Sequence, residues 1–156
     1  MNDTERTRTL RSALTTGWRA YAPAANILEG LSDGEAETRL PGAPYSIAEI
    51  VAHMVFWQDR QAAALETGVF PYDAPHAADG WPSLPWAEAS RRFLAGLERL
   101  DGLAGSREAL DRAFGEDSGE SLLLGVALHN AHHLGQVVTL RRLAGSWPPP
   151  SGGETW

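Results

Sequence analysis

His129-Asn130-Ala131-His132-His133-Leu134-Gly135-Gln136 is the stretch whose reading decides the fold, because it places two imidazoles one helical turn apart inside an apolar seam. Taking every third or fourth residue gives Leu122, Val126, His129, His133, Gln136, Leu140 and Leu143, a four-three alternation that sets these side chains on one helix face. Two histidines stand where leucines are expected. A neutral imidazole in an apolar face needs partners for both ring nitrogens. A metal ion supplies one for each ring, and a spacing of four residues on a helix is a chelating one.

Upstream, Gly and Pro punctuation separates further helical patterns. The first covers about Thr4 to Leu28, with Leu10, Leu14, Trp18 and Tyr21 as its stripe and Pro23 as the point where it kinks or splits. Ser32-Asp33-Gly34-Glu35 reads as a capping box for one short turn, and Ser46 to Glu49 as another that opens a helix running to about Thr67. Gly68 to Pro82 is expected to be a long loop. A third long helix starts near Ser83, with Pro85 in its first turn, and Asp101-Gly102 ends it. A minor helix, Ser106 to Phe114, precedes the last long one, about Ser118 to Ala144. No strand-like alternation of useful length appears. The expectation is an all-α fold, an antiparallel up-down four-helix bundle forming a single domain over residues 1–156. The Pro/Trp-rich tail from Gly145 to Trp156 cannot be helical, and its tryptophans are expected to dock on the bundle or on a second subunit.

Composition narrows the function classes. With 156 residues the chain can bury a core without disulfides, and it has no cysteine to form any. Every mechanism in which the protein supplies a thiolate is thereby excluded, so thiol chemistry requires a borrowed thiol. The net charge is −7, and the thirteen basic residues are all arginines with no basic run, which disfavours a nucleic-acid partner. The longest apolar run, Leu122 to Leu128, is too short to span a bilayer, and the opening Met1-Asn2-Asp3-Thr4-Glu5-Arg6 is polar. A cytoplasmic protein acting on a small molecule, with no membrane partner, is the expectation.

Two histidines at i and i+4 leave a metal half coordinated, so a third ligand has to come from another helix. His53 is the candidate, in mid-helix on the face shared by Ile50 and Trp57. His76 falls in the loop, and His132 lies about 100° round the helix from His133, toward solvent or a dimer partner. The alternative is that His53, His129 and His133 are core histidines hydrogen-bonded to each other or to Gln136. A tri-imidazole set with one open position is the layout of catalytic zinc sites. It differs from the zinc-peptidase H-E-x-x-H motif, since Asn130 stands where that motif has its glutamate and cannot act as a base. Glu49, one turn before His53, is the nearest carboxylate, and its capping box claims it. Gln136 can orient a metal-bound group or cap a buried network, and Trp57 reads as core before it reads as a substrate stacker.

His53 in a helix after a Ser-x-x-Glu start, the His129 to Gln136 octapeptide, Arg141-Arg142-Leu143-Ala144-Gly145 and the Trp-Pro-Pro-Pro-Ser-Gly-Gly tail together resemble the DinB/YfiT-like superfamily over nearly the whole chain. The resemblance implies an up-down helical bundle, often a homodimer, in which the positions of His53, His129 and His133 bind a divalent metal, commonly zinc or nickel. It also implies a functional range that includes transferases and isomerases using low-molecular-weight thiols such as bacillithiol or mycothiol. The leading expectation is transfer of such a thiol to an electrophilic small molecule. Hydrolysis by metal-bound hydroxide and metal or ligand binding without turnover are the alternatives.

Overall fold

Serine side chains that accept an amide hydrogen bond start four of the helices, at Ser32, Ser46, Ser106 and Ser118. In a computed structural model, which describes residues 3–16, 21–70 and 79–153, the elements are α1 (Asp3–Thr15), α2 (Ala24–Leu28), α3 (Asp33–Glu37), α4 (Ile47–Thr67), α5 (Trp86–Ala104), α6 (Arg107–Asp111), β1 (Ala113–Phe114), β2 (Asp117–Ser118) and α7 (Gly119–Ala144). The Ser32/Glu35 and Ser46/Glu49 capping boxes form as expected: each serine hydroxyl accepts from the N3 amide, and each glutamate accepts from the serine amide. Ser118 caps α7 in the same way through Ser121.

The chain is all-α in class, and four long helices enclose its core. α5 packs on α1 and α4, and α7 packs on the same two, so the contacts close a ring. The antiparallel alternation expected along the sequence fails between α4 and α5. Arg92 pairs with Asp59 at 2.7 Å and Arg99 with Glu66 at 2.7 Å, and partner numbers that rise together on both helices require the two to run in the same direction. Residues 68–85 make this possible, because a crossover of that length can return along the roughly 31 Å of a 21-residue helix. α7 opposes both: its C-terminal half, Leu134, Val137 and Val138, packs with the N-terminal halves of α4 and α5, while Leu123, Val126 and Ala127 pack with their C-terminal halves.

A Cβ at Gly96 of α5 would run into the buried Gln58 side chain of α4, and one at Gly119 would strike the Ala109 carbonyl. Gly96 leaves room for a neighbouring side chain, and Gly119 lets two backbones approach.

Other boundaries move for identifiable reasons. The first expected helix is broken: α1 stops at Thr15, and Pro23 becomes the N-cap of α2. Leu10 and Leu14 are buried and Tyr21 is half-buried, whereas Trp18 lies outside the described residues. α5 begins at Trp86 with Pro85 as its cap and continues through Asp101-Gly102 to Ala104, since the buried Leu100 and Ala104 hold that last turn against the core. The minor helix ends at Asp111, not Phe114. A two-residue antiparallel ladder, Ala113 with Ser118 and Phe114 with Asp117, follows it and buries Phe114. Such a ladder is too short to produce visible alternation.

The tail docks on its own chain. Arg141, 1% exposed, donates to the Ile27 carbonyl and to the Ser146 carbonyl, and its guanidinium stands 5.6 Å from the Trp147 ring. The Ser151 amide donates to Glu29 at 2.9 Å. Among the described residues no helix is long and apolar enough to cross a membrane.

Candidate metal centre

The His53, His129 and His133 side chains meet where α4 crosses α7. Each offers a ring nitrogen, and the three nitrogens lie within 4.8 Å of one another. His53 and His133 are buried at 9% and 7% exposure, and His129 is half-buried. The amphipathic spacing accounts for this directly: both helices turn these positions toward each other, as they would turn leucines.

The outer ring nitrogens fix the tautomers. His53 Nδ1 lies 2.5 Å from the Gly80 carbonyl, an acceptor only, so Nδ1 carries the hydrogen and Nε2 keeps its lone pair. His133 Nδ1 lies 2.8 Å from Gln136 Oε1, which likewise accepts, while the Gln136 amide nitrogen lies 3.3 Å from His132 Nε2. Two inward nitrogens are thus left as free donors. The third comes from His129, whose Nε2 sits 3.2 Å from that of His53. Two imidazole nitrogens on one tetrahedral zinc ion, each at about 2.0–2.1 Å from it, stand about 3.3–3.4 Å apart. The donor set therefore fits a divalent ion. A hydrogen bond from His129 to His53 would fit the same distance, and in either arrangement His129 Nδ1 is buried without a hydrogen-bond partner among the described residues.

Electrostatics favour the ligand-competent state. Burial holds the pKa of His53 and of His133 below the ordinary imidazole value, against the raising effects of Gly80 and Gln136. Burial, followed by the charges of the neighbouring imidazoles His133, His53 and His132, brings His129 down to about 4. Near neutral pH all three rings are uncharged, as coordination requires.

Trp81, which sequence reasoning left unremarked in a loop, forms a wall of the site. Its ring stacks on His53 at 4.0 Å between centroids and on Tyr45 at 3.7 Å, giving a Tyr45–Trp81–His53 column. The one available signal was a large aromatic within Gly80-Trp81-Pro82, a turn-rich stretch that immediately precedes a helix. Trp57 lies edge-on to both His53 and His129 at 6.3 and 6.4 Å, so it borders the site as well as the core. Glu49 serves its capping box and pairs with Arg39, and among the described residues no carboxylate joins the cluster of three imidazoles. His132 is exposed, its ring lies edge-on to His133 at 5.0 Å between centroids, and its Nε2 meets the Gln136 amide. His76 lies outside the described residues.

A family model described as the DinB superfamily matches residues 13–137, well over half of the sequence, and the chain belongs to that superfamily. No curated protein and no solved structure matches it.

Proposed function

We propose that this member of the DinB superfamily is a cytoplasmic metal-dependent enzyme that transfers a low-molecular-weight thiol, of the bacillithiol or mycothiol type, to an electrophilic small molecule. The observation that carries the reading is the convergence of three neutral imidazoles whose outer nitrogens are tied or buried, in a chain without cysteine. His53, His129 and His133 would hold one divalent ion, zinc or nickel by the nature of the donors. Such an ion lowers the pKa of a thiol bound to it and so supplies thiolate near neutral pH. The Gly80 carbonyl and Gln136 keep the His53 and His133 rings oriented, as outer-shell partners of metal ligands do. Trp81 covers one face of His53 and keeps water from it. In the transfer, a sulfur–carbon bond forms, the leaving group departs with its bonding pair, and the thiol proton passes to solvent. Hydrolysis is the weaker reading, because a general base is wanted and Glu49 is engaged elsewhere.

The long helices serve this reading as a bundle in which α7 runs opposite to α4 and α5. We read the working unit as a homodimer: Leu124 and Leu128, one turn apart on α7, are 47% and 64% exposed and offer apolar surface to a second copy.

The test is a conjugation assay with bacillithiol, mycothiol, glutathione or no thiol, run on metal-loaded protein and on His129→Ala. Turnover is expected only with thiol and metal together, and it should be lost in the variant. Equal turnover without thiol would replace transfer by hydrolysis. An unchanged rate in His129→Ala would remove the histidine cluster from the reaction.

A further inference from the structure

His133 and Trp81 also belong to a second feature, a cleft of about 580 Å3 whose lining does not include His53 or His129. Its volume lies in the range of small-molecule pockets. Pro41, Pro44 and Tyr45, from the segment that joins α3 to α4, form one wall, and Leu140 and Leu143 of α7 face them across the opening. Among the described residues no Asp, Glu or Arg lines it. Leu143, 73% exposed, stands at its rim.

The ring geometry narrows the occupant. Tyr45 and His53 cover the two faces of Trp81, so the indole turns an edge to the cleft. An aromatic edge carries partial positive charge and prefers the face of another ring. Besides Tyr45 and Trp81, whose rings are stacked on each other, the polar side chains that line it stand on α7, among them His132, Gln136 and Thr139. The Thr139 hydroxyl donates to the Gly135 carbonyl at 3.0 Å, which leaves its oxygen free to accept. A charged ligand would be desolvated here without a counter-ion, whereas a neutral one loses little and can satisfy one donor.

We propose that this cleft binds an uncharged aromatic small molecule, held by its apolar body and oriented by a hydroxyl or amide donor on Thr139. Its place in catalysis, as the electrophile beside a metal-held thiol, rests on the function proposed above; its binding does not. Because the cleft meets His133 on the Gln136 side, the occupant lies next to the coordination site and does not enter it.

The experiment is calorimetric titration of the full chain, zinc-loaded and metal-stripped, with 2-naphthol, 2-naphthoate and 2-naphthylmethylammonium at pH 7.5. Naphthol should bind both forms at least about tenfold tighter than either ion does. Thr139→Trp, which fills the cleft, should weaken naphthol by about tenfold or more while zinc content stays unchanged. Leu143→Glu, at an exposed position where folding is not at risk, should shift preference toward the cation. Naphthoate binding as tight as naphthol, absence of saturable naphthol binding, or naphthol binding unchanged in both variants would each overturn the proposal. Naphthol binding retained in a protein that takes up no metal would sink the metal reading and leave this one standing.

Discussion

The two halves of the core are built from the same three long helices yet have different contents. At one end Leu65, Leu100, Leu110, Phe114 and Leu123 close a hydrocarbon core, and Arg6 bridges to Asp111 and Glu120 at its rim. At the other end, α4 and α7 carry the three histidines, Arg141 is fully buried, and the crossover folds Gly80 and Trp81 onto His53. Between the halves lie Gln58 and Asn130, both buried, with amide atoms that have no partner among the described residues. One half stabilises the fold, and the other tolerates polar groups because the first has already made it rigid.

That division can be broken at either end. The largest expected effect is at the histidines: purified without an affinity tag, the protein should carry close to one zinc or nickel per chain, and His53→Ala should bring this near zero while His132→Ala leaves it intact. Elemental analysis decides it, and equal loss in both variants would place the ion elsewhere. Next comes Leu100→Ala in the apolar half, expected to cost about 2–5 kcal/mol of unfolding free energy in denaturant titrations. Its metal stoichiometry at 25 °C should be unchanged, and a matching loss of metal would show that the halves are not separable.

Gln136→Leu removes the acceptor of the His133 Nδ1 hydrogen and should weaken metal affinity about 10- to 100-fold by competition with a chelator. The smallest effect is expected at the boundary. Gln58→Met removes an unpaired buried amide at similar volume and should raise stability by about 1–3 kcal/mol. A loss there would mean that the amide is satisfied in solution. Acid should distinguish the halves as well. His129 titrates lower in the folded chain than in the unfolded one, so the unfolded chain binds more protons between these values. The metal-free protein should therefore lose stability as pH falls from about 6.5 toward 4, mostly at the histidine end.

What the sequence made legible follows from the range of each interaction. The Ser46/Glu49 box spans one turn, and the spacing of His129 and His133 is fixed by the helix itself, so both could be read directly. His53 was reachable because its helix face is shared with Ile50. Trp81, the Gly80 carbonyl and the shared direction of α4 and α5 were not, since each depends on where residues 68–85 travel. A proline-rich stretch reports that a turn occurs and not where it leads. Gly96 and Gly119 were equally silent, because a close approach is a property of two helices and is written in neither alone.

The crossover has a consequence for the order in which the molecule assembles. His53 and His129 are 76 residues apart in the chain, and His53 takes its Gly80 partner only after the crossover has returned along α4. Contacts of such long separation form late, after loop-closure entropy has been overcome, whereas the turns and caps of each helix form locally and early. An ion held by these histidines would therefore have no preformed site until the helices are docked, and it would act as a latch on a finished fold rather than as a seed for folding.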